Sequence, residues 1–98
     1  MTGSDQPRLD VRLRSRRVRK ELDALWGSDY RRIVGALRSL GYEPLPVGSQ
    51  KLYGAVYRLR VGAWRIIYLV DHANGRIEVG GIRRRSERTY RGIDDLFS

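Results

Sequence analysis

The sequence has no cysteine and only one histidine among its 98 residues. The absence of cysteine excludes disulfide bonds, zinc sites built on thiolates and cysteine nucleophiles. Long apolar runs are absent as well, because the longest stretch without a charged side chain is the seven residues from 44 to 50. We therefore expect neither a transmembrane span nor a signal-peptide core. A chain of this length forms one domain, and we expect a cytoplasmic protein.

Acidic residues and lysine are also scarce. Lys and Arg together number 20 against 11 Asp and Glu, which gives a formal charge of +9, and only two of the 20 are lysine. Both halves of the chain are positive, so the charge belongs to the folded body. The arginine side chain stays charged at any biological pH and pairs with phosphate through two hydrogen bonds. This composition favours nucleic acid or the ribosome as a partner, and an ordinary basic surface is the alternative.

The first half of the chain predicts a strand followed by two helices. Residues 1–8 are polar and are expected to form a flexible N-terminus. Residues 9–13 alternate between apolar and charged side chains, which is the period of a half-buried strand. Ser15 is placed to cap a first helix that ends at Gly27. A second helix is expected to start at Ser28 or Asp29 and to end at Gly41, with two prolines beyond it.

The second half predicts strands. Apolar side chains alternate with other residues over 55–61 and again over 64–70, and Asn74-Gly75 is a strong hairpin signal before a last strand. The predicted order is β-α-α-β-β-β in a single domain covering residues 9–98. This is an α+β fold in which a helical hairpin packs on one face of a small, mainly antiparallel sheet.

Strand alternation brings arginines together. Arg58 and Arg60 are two residues apart and project from the same face of their strand, opposite the apolar set. Arg65 on the neighbouring strand is expected to join them. A solvated face is the alternative, although the run Arg83-Arg84-Arg85 at the end of the last strand favours a site for an anion. Gly80-Gly81 allows a bulge that would change where Arg83 and Arg84 point.

Four segments carry a resemblance to a known family. They are KLYG at 51–54, YRLRVG at 57–62, WRIIY at 64–68 and RRRSERTY at 83–90. Their order and sequence are similar to the RelE side of the RelE/ParE toxin superfamily. The resemblance implies a RelE-like fold and the role of toxin in a type II toxin–antitoxin system. It further implies an endoribonuclease that cuts mRNA in the ribosomal A site, inhibits translation and needs neither metal nor cofactor.

The resemblance also implies roles for individual residues. It assigns catalysis to Arg65, Arg84 and Tyr90, and it assigns binding of RNA phosphate to Arg58, Arg60, Arg83 and Arg85. Members of the family often carry lysine where this chain has Arg58 and Arg60. Because arginine keeps its proton, these two residues can bind and stabilise a phosphate but are poor bases. Tyr90 can stack on a base or exchange a proton, and Glu87 is a second candidate base unless it forms a salt bridge.

Partners follow from the same resemblance. We expect an acidic antitoxin in a hetero-oligomer, contact with the ribosome and mRNA, operator DNA reached only through the antitoxin, and no membrane. Two other functions stay open. The chain is alternatively a ParE-like inhibitor of DNA gyrase, or a catalytically silent homologue that only binds its antitoxin. The arginines and Tyr90 distinguish the endoribonuclease from the gyrase inhibitor, since binding to gyrase does not require those side chains on an open sheet face.

Overall fold

A computed structural model of the protein describes residues 6–86, 90 and 92–97. These residues form two α-helices, a five-stranded sheet and a short 3-10 helix: β1 (Asp10–Leu13), α1 (Arg16–Asp23), α2 (Gly27–Tyr42), β2 (Ser49–Tyr53), β3 (Val56–Val61), β4 (Trp64–Asp71), β5 (Arg76–Arg84) and Ile93–Asp95. The strand order is β1-β5-β4-β3-β2, with β1 parallel to β5 and every other pair antiparallel. The predicted α+β class is confirmed, and β2 is an additional strand. Neither helix is long and apolar enough to cross a membrane.

Local chemistry explains where the helices begin and end. Ser15 caps α1 as predicted, because its hydroxyl accepts a hydrogen bond from the amide of Val18. The predicted role of Gly27 is wrong, since this residue begins α2 instead of ending α1, with a φ of 61°. The predicted end at Gly41 is also wrong. Gly41 lies inside the last turn, where a Cβ would sit 2.8 Å from the carbonyl oxygen of Leu9.

This close contact holds the segment before β1 against the end of α2. The amides of Arg8 and Leu9 both donate to the carbonyl of Gly41, at 2.8 and 3.0 Å. A side chain at Gly41 would push the two segments apart, because the space is filled by backbone. Residues 1–5 of the predicted flexible N-terminus lie outside the described residues.

The main core lies between the helices and one face of the sheet. Its fully buried side chains come from both helices and from the two strands β4 and β5: Val18, Ile33, Leu40, Ile66, Tyr68, Ile77 and Val79. The hydroxyl of Tyr68 donates to the carbonyl of Pro44 at 2.7 Å, so the one polar atom of this buried ring is satisfied. Truncation of a single large core residue typically costs about 2–5 kcal/mol.

A bulge in β5 interrupts the sheet. Ile67 pairs with Gly81 but Tyr68 pairs with Val79, so Gly80 is the extra residue. Helix α1 satisfies the backbone around it. Arg17 donates to the carbonyl of Gly80 at 3.0 Å, and Glu21 accepts from the amide of Ile82 at 2.9 Å.

Among residues 6–86, 90 and 92–97, the C-terminal segment covers the middle of the face of the sheet away from the helices. We call this face of the sheet the open face. A second apolar cluster lies there, with Val56 and Ile67 beneath Leu96. Phe97 also packs against it, and a Cβ on Gly80 would overlap the Phe97 ring. The absence of a side chain at Gly80 therefore makes room for the C-terminal segment. The two ends of the open face carry charged side chains.

Candidate nucleic-acid site on the open face

One end of the open face carries a row of arginines. Arg60 on β3 is directly opposite Arg65 on β4, which is directly opposite Arg83 on β5. Directly paired residues project from the same face, so three arginine side chains share one face across three strands. Arg58 lies one step further along the same face of β3. Arg85 lines a shallow groove together with Arg60 and Arg65. We call these five residues the arginine cluster.

Arg65 is the fixed centre of this cluster. It is the only buried charged residue in the described part of the chain, with 5% of its surface exposed. Its Nη1 atom donates to the carbonyls of Gly62 and Trp64, at 2.9 and 2.8 Å. These two bonds hold the guanidinium plane in one orientation at the floor of the groove. A preoriented donor of this kind is suited to stabilising an anion, since little has to reorganise when the anion arrives.

The pKa of Arg65 depends on its burial and on the charges of its neighbours. Burial lowers the pKa of the Arg65 guanidinium, and the positive charges of Arg60, Arg58 and Arg85 lower it further. Tyr90 acts in the opposite direction and raises that pKa. Tyr90 is therefore close enough to Arg65 to interact with its charge. The cluster is a site where an anion relieves repulsion between like charges.

Arg58 is directed towards the edge of the sheet. Its guanidinium donates to the carbonyl of Gly48 at 3.0 Å and to Oε1 of Gln50. Gln50 lies opposite Arg58 in the β2–β3 pairing. Sequence reasoning missed Gln50 and Gly48, because β2 was not predicted and no pattern linked these residues to the site.

Arg84 lies on the other face, and the prediction that it converges with Arg58, Arg60 and Arg65 is wrong. It is paired directly with Trp64, whose ring packs on the main core on the helix side. The Arg84 guanidinium lies over the Trp64 ring, 5.5 Å from its centroid. The bulge at Gly80 shifts the register of β5, so Arg83 takes the open-face position.

The opposite end of the open face is also rich in charge, but its charges are paired. Arg12 bonds to Asp10 at 2.7 Å, Arg14 bonds to Glu78 at 2.5 Å, and Arg76 lies 4.0 Å from Asp71. We call these six residues the ion-paired end. No such ion pair involves Arg58, Arg60, Arg65 or Arg85 within residues 6–86, 90 and 92–97.

Similar solved structures share this architecture. A chain of the archaeal RelE–RelB complex from Pyrococcus horikoshii is 28% identical with a TM-score of 0.70, and the match covers 82% of this chain and 98% of that one. A chain of the RelBE2 toxin–antitoxin complex from Mycobacterium tuberculosis is 21% identical with a TM-score of 0.69, covering 82% and 100%. The isolated E. coli RelE toxin is 16% identical with a TM-score of 0.64, covering 93% and 99%. No protein-family model and no curated protein matches the chain.

The chain has a RelE-like toxin fold. Within this RelE-like fold the arginine cluster occupies one end of the open face, and Tyr90 lies beside it, 40% exposed. Glu87, the second candidate base, lies outside the described residues. The described site thus consists of five arginines and one tyrosine, a set that can bind a phosphate and approach one of its oxygens with a phenol.

Proposed function

We propose that this chain is the toxin of a type II toxin–antitoxin pair and that it inhibits translation by cutting mRNA in the ribosomal A site. The observation that carries the proposal is the row Arg60–Arg65–Arg83 with Tyr90 beside it. The RelE-like fold supports the role of toxin, because the similar solved chains come from RelE toxins and RelE–antitoxin complexes. Such a toxin acts where ribosomes translate, in the cytoplasm.

The proposed reaction is an internal transfer at one phosphate. The 2′-oxygen of a nucleotide attacks the adjacent phosphorus and loses its proton, while the bond to the 5′-oxygen breaks and that oxygen gains a proton. The products are a 2′,3′-cyclic phosphate and a 5′-hydroxyl. Negative charge grows on the phosphate oxygens during this step. Arg65 and Arg83 stabilise that charge, and Arg60 and Arg85 hold the flanking phosphates.

Proton transfer falls to groups other than the arginines. Arg58 and Arg60 remain protonated and act only as donors. Tyr90 is proposed to orient or exchange a proton at the reacting oxygens, because it lies near enough to Arg65 for its ionised form to raise the pKa of that guanidinium. Glu87 remains a predicted alternative base.

The proposed partners follow from charge and from the similar structures. Two of the similar chains come from complexes of a toxin with its antitoxin. A chain with a formal charge of +9 is complementary to an acidic antitoxin, and the two would form a hetero-oligomer. Contact with operator DNA is assigned to the antitoxin.

Cleavage of a defined mRNA on programmed ribosomes tests the proposal. The wild-type chain is expected to cut within the A-site codon and to leave a 5′-hydroxyl product. Arg65→Ala is expected to lower the rate by about 100-fold or more, as removal of one preoriented donor does in other enzymes. Arg12→Ala is the matched control, since Arg12 lies on the same face but in the ion-paired end.

Other outcomes identify the alternatives. Intact mRNA together with stalled DNA gyrase would replace the proposal with a ParE-like function. Intact mRNA with active gyrase would leave a module that only binds an antitoxin. Because Arg65 is buried, a thermal unfolding curve of Arg65→Ala must accompany the rates, and the more exposed Arg83 provides an independent variant.

A further inference from the structure

One exposed tryptophan belongs neither to the arginine cluster nor to the ion-paired end. Trp26 lies between α1 and α2 and is 84% exposed, although indole is among the most favourable side chains to bury. Its side chain makes no capping hydrogen bond to α2. Trp26 lines a groove on the helix side of the sheet together with Asp29, Trp64 and Arg84. We call it the tryptophan groove.

We propose that the tryptophan groove stacks a base of the same RNA strand whose phosphate lies on the arginine cluster. The inference rests on the proposed function and extends it, because it assigns a binding site to the nucleotide that flanks the reacting one. The occupant is a base of single-stranded mRNA, held between the exposed indole of Trp26 and the cationic edge formed by Arg84.

The chemistry of the groove suits a base. The Arg84 guanidinium lies over the Trp64 ring, 5.5 Å from its centroid, and both side chains line the groove. Aromatic side chains and arginine planes are the groups on which proteins stack unpaired bases. Asp29 argues against a phosphate in the same place, because its carboxylate also lines the groove and would repel an anion. An uncharged, planar base avoids that repulsion.

The position of the groove connects it to the arginine cluster. Trp64 and Arg65 are consecutive in β4, as are Arg83 and Arg84 in β5, and consecutive strand residues project from opposite faces. The two sites therefore lie back to back at the same end of the sheet. An RNA strand that leaves Arg83 and passes around this end of the sheet reaches Arg84 next.

Binding of an uncleavable RNA tests the groove separately from catalysis. The probe is a fluorescently labelled single-stranded hexanucleotide with 2′-O-methyl groups at every position, and the readout is anisotropy. Trp26→Ala is expected to weaken binding about 10-fold, which lies within the range for loss of one base stack. Trp26→Phe should keep most of the affinity. Tyr42→Ala is the matched control, since Tyr42 is 46% exposed at the other end of α2.

Abasic probes make the test specific for stacking. Removing the base that occupies the groove should weaken binding to the wild-type chain and should have no further effect on Trp26→Ala. The inference is overturned if every abasic probe affects both proteins equally, if Trp26→Ala binds as the wild type does, or if the wild type shows no saturable binding. Failure of the proposed function is distinguishable, because it appears as intact mRNA on ribosomes whatever the binding result.

Discussion

The two ends of the open face use the same residue type for opposite purposes. At the ion-paired end, Arg12, Arg14 and Arg76 each face a carboxylate on the same or a neighbouring strand. At the arginine cluster, Arg60 and Arg65 face each other across a strand pair. Arginine count alone therefore says little about function. The arrangement of acidic partners is what separates a structural surface from a candidate site.

Placing like charges opposite one another in the arginine cluster costs stability, and this cost points to an anionic ligand. Like charges directly opposite one another destabilise a sheet, whereas opposite charges stabilise it. Burial of Arg65 adds to the cost, because desolvation disfavours the charged form. A phosphate offsets both penalties at once. The ion-paired end has little need of an external anion, since carboxylates already lie beside its three guanidinium groups.

The largest expected effect separates the two faces at one end of the sheet. Arg83→Ala should lower the cleavage rate at saturating ribosome concentration by about 100-fold, because it removes a donor that acts on the developing phosphate charge. Arg84→Ala should mainly raise the ribosome concentration at which the rate is half-maximal, because the tryptophan groove contributes binding and not transition-state stabilisation. Single-turnover cleavage on programmed ribosomes measures both quantities.

A reversed result would restore the sequence-based assignment. If Arg84→Ala lowered the saturating rate and Arg83→Ala did not, the reacting phosphate would have to lie on the helix side of the sheet. Arg12→Ala serves again as the variant expected to match the wild type in both quantities.

Arg83 and Arg84 also mark the limit of what the sequence could predict. The alternation in residues 55–61 and 64–70 placed Arg58, Arg60 and Arg65 correctly, because the β3–β4 pairing is regular. The extra residue Gly80 shifts β5 by one position, and a shift of one residue exchanges the faces. The sequence indicated that a bulge was possible there but not whether it formed.

Two other features were not identified by local sequence patterns. Strand β2 has the sequence SQKLY, in which apolar and polar side chains do not alternate, so nothing marked it as a strand. Gly27 looked like a helix end because glycine is common there, yet its positive φ serves the start of α2.

Salt dependence should differ between the two ends of the open face. Arg60→Gln is expected to weaken binding of the uncleavable RNA a few-fold and to reduce the slope of log affinity against log salt by about 0.7, the value for one lost contact to single-stranded phosphate. Arg12→Gln should leave the slope unchanged. An equal reduction of the slope in both variants would mean that RNA contacts both ends of the open face.

Acid should affect the ion-paired end through Asp71. Hydrogen bonds from the side chain and backbone of Asn74 lower the pKa of Asp71. A lowered pKa in the folded state stabilises the protein above the unfolded pKa, and this contribution is lost as the pH falls through the folded value. Asn74→Ala should raise the pKa of Asp71 towards its ordinary value, as measured by NMR of the side-chain carboxyl. Arg60→Gln is the control, and a rise there too would mean that the two ends are electrostatically coupled.

The smallest expected effect is on the free energy of unfolding, which should change in opposite directions when an arginine is replaced at the two ends of the open face. Arg60→Gln should raise the free energy of unfolding by about 0.3 kcal/mol at low salt, because it removes a like charge opposite Arg65. Arg14→Gln should lower it by about 0.5 kcal/mol, because it breaks the pair with Glu78 and the contact with the Phe97 ring. Urea unfolding at low salt and at 1 M salt measures both, and both effects should shrink as salt screens the charges. Two losses of stability would show that Arg60 contributes to folding in the absence of RNA. Opposite signs would support the interpretation that the facing charges of Arg60 and Arg65 oppose the stability of the sheet and that an anionic ligand relieves their repulsion.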